Sequence, residues 1–288
     1  MVSTKREDKL THDEIIEASV SALGVQNAQF LAQGGQKWVL TVEFAGTPAV
    51  LKIVAVPPGP SGAIVLERAH REVELLAEVD SPNVVKVLSD AIEIGMPVEA
   101  VAWVEEHLDG EDLTTLMSTP WADDEVAKLI RDIGSALEAC HDLDVVHRDL
   151  SPGNVRRTAS GMYVLMDPGL ARHLQKVAIT GLFQPGTVGF RSPEHVPGGD
   201  PSTASDIFAL GILCFCASTG EFPIDPKGDE ADYNRRLVTT QAPSLSVQKP
   251  TVQAELAAVI DKCLRRQPAR RYLDGKELLD DALKRGVI

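Results

Sequence analysis

The chain has 288 residues, 44% of them apolar and 24% charged, a balance that suits a packed globular protein with room for more than one core. Its formal net charge of −14 argues against general nucleic-acid binding, which needs a positive surface to displace counterions, and against docking on an anionic membrane. No apolar run approaches the roughly 18 residues that cross a bilayer, and Met1 to Leu10 is charged with no apolar signal core, so no membrane span and a cytoplasmic location are expected.

The first predicted element is a helix over Leu10 to Leu23. Thr11 and Glu14 form a capping-box pattern there, and Ile15, Ala18, Ser19 and Ala22 share one face. Residues 1–25 are expected to form an extension ahead of the main fold. From Phe30 to Val56 the pattern turns to strand: Trp38 to Phe44 is β-rich, Ala45 to Pro48 reads as a turn, and Ala49 to Val54 returns as a second strand. Pro57 to Gly62 breaks the hairpin. A helix is predicted near Ile64 to Val79, with Val73, Leu76 and Ala77 at helical spacing, followed by strand-like runs at Val84 to Leu88 and Val98 to Val104.

After Leu113 the chain reads as mostly helical. Val126, Leu129, Ile130, Ile133, Leu137 and Cys140 make one apolar stripe, and Val252, Leu256, Val259, Ile260, Cys263 and Leu264 make another. Ile207 to Ala217 is apolar on all sides, which marks a helix enclosed by a core. Cys140, Cys214, Cys216 and Cys263 lie in such apolar segments with no zinc-type spacing, and are expected as buried, reduced thiols.

The densest chemistry lies at His147-Arg148-Asp149-Leu150-Ser151-Pro152-Gly153-Asn154, followed by Asp167-Pro168-Gly169. Between them, Tyr163 to Met166 reads as a short strand that delivers Asp167 to its end. Asn154 and Asp167 offer the hard oxygen ligands that magnesium takes alongside substrate phosphates. Asp149 is then left to orient a hydroxyl and accept its proton.

This segment resembles the catalytic loop and metal-binding motif of protein kinases, His-Arg-Asp-Leu-x-x-x-Asn followed by Asp-Phe-Gly. The resemblance extends over roughly Phe30 to Leu283. It implies that Lys52, at the end of a Val-Leu-Lys strand, grips the α- and β-phosphates of ATP, and that Glu72 on the following helix pairs with it. Val39, Val50, Glu106 and Asp112 are implied to line the nucleotide, Asp112 at the ribose and Glu106 near the adenine. Gly186 to Glu194 is similar to the substrate segment of serine/threonine kinases, with Thr187 in the position that contacts the catalytic aspartate. Asp206 matches the aspartate that holds the catalytic loop, and Arg271 the late arginine that pairs with Glu194. Arg148 beside Asp149 implies control by phosphorylation, with Thr180 as the candidate acceptor.

The chain departs from the family in four places. The glycine-rich loop is reduced to Gly34 and Gly35, which still let backbone N–H groups approach phosphate. Ser151 replaces a lysine that faces the γ-phosphate, leaving open whether Arg156 or Arg157 substitutes. Pro168 replaces the phenylalanine of Asp-Phe-Gly. A carboxylate, Glu105, or else Val104, occupies a position at the back of the nucleotide site that is normally apolar.

The resulting expectation is an α+β, bilobal protein kinase-like fold. Its small β-rich N-lobe covers 26–107 and its larger helical C-lobe covers 108–288. The implied activity is transfer of the γ-phosphate of ATP, with Mg2+, to a serine or threonine of an unidentified protein substrate. A nucleotide-binding pseudokinase and a small-molecule kinase stand as alternatives.

Overall fold

Alternating apolar residues build an antiparallel sheet of five strands in the order β1-β2-β3-β5-β4. The computed structural model describes residues 10–34, 37–167, 189–196 and 198–288, the side chains of Arg68 and Glu72 excepted. The described residues fall into two units, 10–78 with 86–107, and 79–85 with 108–167, 189–196 and 198–288.

In the first unit the strands are β1 (Gln26–Gly34), β2 (Lys37–Phe44), β3 (Thr47–Ala55), β4 (Ile92–Ile94) and β5 (Ala100–Glu106). The β2–β3 turn is tighter than the sequence suggests. Thr47 and Pro48 already pair with Phe44 and Glu43, leaving Ala45 and Gly46 as a two-residue turn. Both adopt positive φ, 51° and 79°, the conformation whose twist matches a hairpin and which glycine takes without strain.

One face of the sheet carries Trp38, Leu40, Val42, Ala49, Leu51, Ile53, Ala102 and Val104, all buried. Helix α1 (His12–Leu23) packs on this face through β4 and β5 and contributes the buried Ile15. Its predicted capping box forms: Thr11 N donates to Glu14 Oε2 at 2.7 Å, and Glu14 N to Thr11 Oγ1 at 3.3 Å. Helix α2 (Pro60–Glu78) begins earlier than expected, because Pro60 suits the first turn, where no N–H partner is needed.

One predicted strand is lost and one strand appears that was not predicted. The run from Val84 to Leu88 is no strand: Val84 bridges Leu165 in the second unit, whereas Val87 bridges Glu105 in the first. A segment shared in this way cannot hold one ladder. Strand β1 has no sequence signature, since each of its residues is exposed and no alternation is required of it.

The second unit is helical around a small sheet of β6 (Gly110–Asp112), β7 (Val155–Thr158) and β8 (Tyr163–Leu165). Its helices are α3 (Leu113–Leu116), α4 (Asp123–His141), α5 (Thr203–Thr219), α6 (Glu230–Thr239), α7 (Leu245–Gln248), α8 (Ala254–Cys263) and α9 (Gly275–Lys284). The stripe from Val126 to Cys140 faces inward on α4, and α5 is buried from Ala204 to Ser218. The segment 79–85 docks through Leu165 N to Asn83 O at 2.8 Å and Asn83 Nδ2 to Tyr163 O at 2.8 Å. Among the described residues no helix is long and apolar enough to cross a membrane.

Candidate active site

In the second unit the loop after α4 is held from below by one carboxylate. Asp206 lies in the first turn of α5, where the helix dipole favours a negative charge, and is 2% exposed. Its Oδ2 accepts from His147 N at 2.7 Å and its Oδ1 from Arg148 N at 2.9 Å. The His141 ring completes the set: Nδ1 accepts from Gly275 N at 3.2 Å, so Nε2 carries the hydrogen that faces Asp206 Oδ2, also at 3.2 Å. The hold on Arg148 N matters because Arg148 has φ of 69°, a conformation that costs a non-glycine residue about 1–3 kcal/mol.

The same logic orders the neighbours of Asp149. His147 is fully buried; its Nε2 donates to Met166 O at 2.9 Å, and its Nδ1 faces Asp149 N at 3.3 Å. Asn154 ends a 3₁₀ turn, Pro152–Asn154, and its Nδ2 donates to Asp149 O at 2.8 Å. Met166 N donates to Asn154 O at 2.8 Å, which ties the residue before Asp167 to the loop. Asp149 and Asp167 are half-buried, and Asp167 has φ of 50°. The structure therefore joins Asp149 and Asn154 in one hydrogen-bonded framework, with Asp167 following directly on Met166, which Asn154 holds.

Two arginines considered as substitutes for the lysine absent at Ser151 are committed elsewhere. Arg156 Nη1 donates to Leu108 O at 3.3 Å, and Arg157 Nε pairs with Glu125 at 3.2 Å. Asp112 is the N-cap of α3, accepting from Thr115 N at 3.2 Å. Below the loop, Arg271 forks onto Glu194, with Nη1 to Oε1 at 2.7 Å and Nη2 to Oε2 at 2.8 Å. Burial alone would raise the Glu194 carboxyl, but the hydrogen bonds and charge of Arg271 hold it down at about 2.

In the first unit Lys52 lies on the sheet face opposite α1. Val39 and Trp103 are its register partners on β2 and β5, and Val50 pairs with Glu105. Lys52 Nζ is paired with Glu105 Oε2, and Trp103 Nε1 donates to Glu105 Oε1 at 2.8 Å. This register resolves the Val104 or Glu105 question: Val104 enters the core beneath α1, and Glu105 shares the face of Lys52. The partner expected for Lys52, Glu72, falls within α2, and its side chain lies outside the described set. Glu106 accepts from Lys86 N at 2.9 Å. Gly34 pairs with Lys37, and a Cβ there would meet nothing within 4 Å. Gly35, Pro168, Thr180 and Thr187 lie outside the described residues.

Sequence reasoning missed Glu105 and Trp103 as partners of Lys52, and His141 as a partner of Asp206. No local signal marks them. The first two depend on the β3–β5 register, and the third on Gly275 approaching from the far end of the chain.

The "Probable serine/threonine-protein kinase PknB" of Lactococcus lactis is 33% identical over 224 residues, 76% of this chain and 34% of that protein. Serine/threonine-protein kinase PknK of Mycobacterium tuberculosis is 34% identical over 165 residues, 54% of this chain and 14% of the relative. Serine/threonine-protein kinase Pkn1 of Myxococcus xanthus is 28% identical over 273 residues, 90% of this chain and 38% of the relative. The chain thus spans less than two fifths of the length of these relatives. The crystal structure of the kinase domain of M. tuberculosis PknI superposes with a TM-score of 0.65 at 23% identity, covering 91% of this chain and 96% of that one, and shows the same bilobal fold. Residues 43–281 match the protein kinase domain family, and since that stretch is well over half of the sequence, the chain belongs to this family.

Proposed function

We propose that the chain is a serine/threonine protein kinase that transfers the γ-phosphate of ATP to a protein hydroxyl. The observation that carries this reading is the loop around Asp149. Asp206 fixes the two preceding N–H groups, and Asn154 fixes the Asp149 carbonyl. The loop is thereby preorganised around one carboxylate.

Phosphoryl transfer asks little covalent chemistry of the protein; position and charge do the work. Asp149 orients the incoming hydroxyl and takes up its proton. Lys52 supplies the charge for the α- and β-phosphates. With Nδ2 of Asn154 committed to Asp149, Oδ1 is the atom that would be left to hold a cation. Together with the Asp167 carboxylate it makes a hard oxygen pair that suits magnesium, which neutralises the triphosphate when bound. Asp112 and Glu106 are assigned to the ribose and adenine, and Val39, Val50 and the Gly34-Gly35 turn to the remaining nucleotide surface. The relatives named above, each a serine/threonine-protein kinase by name, support a protein substrate.

The test is magnesium-dependent transfer of labelled γ-phosphate from ATP, to the chain itself and to a generic protein acceptor. Asp149→Asn is expected to reduce transfer by at least about 10²-fold. An Asp149→Asn protein as fast as the parent would refute the assignment. Thermal stabilisation by ATP with no turnover in the parent would instead mark a nucleotide-binding pseudokinase.

A further inference from the structure

The pairing of Lys52 within its own sheet points to a residue that the family pattern does not supply. Glu105 is 2% exposed and Lys52 5% exposed. A carboxylate buried to that degree is costly unless its oxygens are both engaged and an opposite charge is close. Both conditions are met: Oε2 is on Lys52 Nζ, and Oε1 accepts from Trp103 Nε1 at 2.8 Å. Trp103 is itself fully buried, and an indole N–H can only donate, so the carboxylate is the partner its position requires.

The backbone makes this arrangement stiff. Lys52 pairs directly with Trp103, Val50 with Glu105, and the β3–β5 ladder runs unbroken from Ala49↔Glu106 to Ala55↔Ala100. Residues two apart on a strand share a face, so Trp103 and Glu105 stand side by side under the lysine stem. A lysine ammonium has three rotatable donors on a flexible stem, so a fixed carboxylate can define its place without exhausting its hydrogen bonds.

We propose that Glu105, oriented by Trp103, is a positioning residue that sets the Lys52 ammonium for phosphate binding from inside the sheet. The inference rests on the kinase reading, which assigns Lys52 to the nucleotide phosphates. Its consequence is that the placement of Lys52 follows the β3–β5 register, and the carboxylate of α2 is not its sole determinant. The chain then tolerates a carboxylate at a normally apolar position because that carboxylate has this task.

Two readouts test this on the whole chain. The first is ATP affinity and the kcat and KM for ATP in Glu105→Gln, Trp103→Phe and Glu72→Gln, with Asp149→Asn as the inactive control. Glu105→Gln keeps the shape and removes the charge. It is expected to raise the KM and Kd for ATP about tenfold, the loss of one charge-assisted hydrogen bond, while leaving the KM for the protein acceptor unchanged. Trp103→Phe keeps both charges and frees the carboxylate to move, so a smaller rise in the same parameter is expected. The second readout is acetylation of Lys52 by an N-hydroxysuccinimide ester at fixed pH, followed by peptide mass spectrometry. Glu105→Gln should label several-fold faster than the parent, and Trp103→Phe in between.

The inference is overturned if Glu105→Gln leaves both ATP affinity and Lys52 labelling within twofold of the parent while Glu72→Gln changes them. If the parent transfers no phosphate and binds no ATP, the kinase reading fails. The labelling order of the same variants then still decides whether Glu105 sets Lys52. Should Glu105→Gln fail to fold, Trp103→Phe carries the same comparison.

Discussion

The Glu194–Arg271 fork allows a quantitative test of how the second unit is held together. Arg271 donates to both oxygens of Glu194, and to the carbonyls of Arg265 at 2.6 Å, Arg266 at 2.8 Å and Ala204 at 3.0 Å. Its guanidinium lies 4.5 Å from the Phe208 ring centre on α5. Ser205 Oγ adds a third bond to the carboxylate at 2.8 Å. Together these hold the Glu194 carboxyl at about 2, against an ordinary 4.5, although burial works in the other direction. The folded state thus favours the ionised form. The corresponding stabilisation is fully present above the unfolded value and is lost as pH falls from about 4.5 through about 2. The fall from 4.5 to about 2 corresponds to about 3 kcal/mol at neutral pH. Glu194→Gln, which cannot titrate, removes that pH-dependent part. Urea unfolding of parent and variant should show a gap of about 3 kcal/mol near pH 7 that narrows by about 1.5 kcal/mol between about pH 6 and pH 3.5. A gap that stays constant over this range would show that Glu194 is not held ionised by Arg271, and the reasoning would fail.

Other consequences are as direct. Asp206→Asn has one carbonyl oxygen for the two loop N–H groups now held at 2.7 and 2.9 Å, so it should cost about 1–3 kcal/mol in thermal unfolding and slow phosphate transfer more than it weakens ATP binding. Gly275→Ala should destabilise by at least about 1–3 kcal/mol in the same assay, because its Cβ would stand 2.2 Å from Glu138 N and 2.7 Å from Gly134 O, backbone atoms of α4 that cannot give way. Burial pushes the Cys140, Cys216 and Cys263 thiols up to about 12 and raises Cys214 as well. The native chain at pH 8 should therefore react with a thiol reagent at none of its four cysteines, and at all of them in urea.

How far the sequence could be read depended on whether the controlling interaction was local. The stripe of α4 and the uniformly apolar α5 were plain, since a helix facing a core must repeat apolar residues at its own period. The capping box of α1 was equally plain, because its two partners stand three residues apart. Strand β1 was invisible: a strand exposed along its whole length has no face to bury and so no alternation. The Val84 to Leu88 run looked like a strand because its composition is right, and composition cannot show that its two ends bond in different units. At the candidate site, the loop from His147 to Asn154 stood out by its motif, and the hold of Asp206 on it was implied by the family resemblance and agrees with the contacts. The pairing of Lys52 with Glu105 was not legible, since a family pattern gives the usual neighbour and says nothing of the one that this β3–β5 register adds.

By itself, the sequence determined the resemblance to the family, the main helices and the β2–β3 hairpin, because periodicity, caps and motif spacing all act over a few residues. The resemblance already implied that Asp206 holds the loop and that Arg271 pairs with Glu194, and the contacts agree. Only the tertiary structure decided that Glu105 reaches Lys52 from a neighbouring strand and that His141 and Gly275 complete the setting of Asp206. Such pairings are set by strand register and helix packing, which depend on the sum of many weak contacts that no short window of sequence contains.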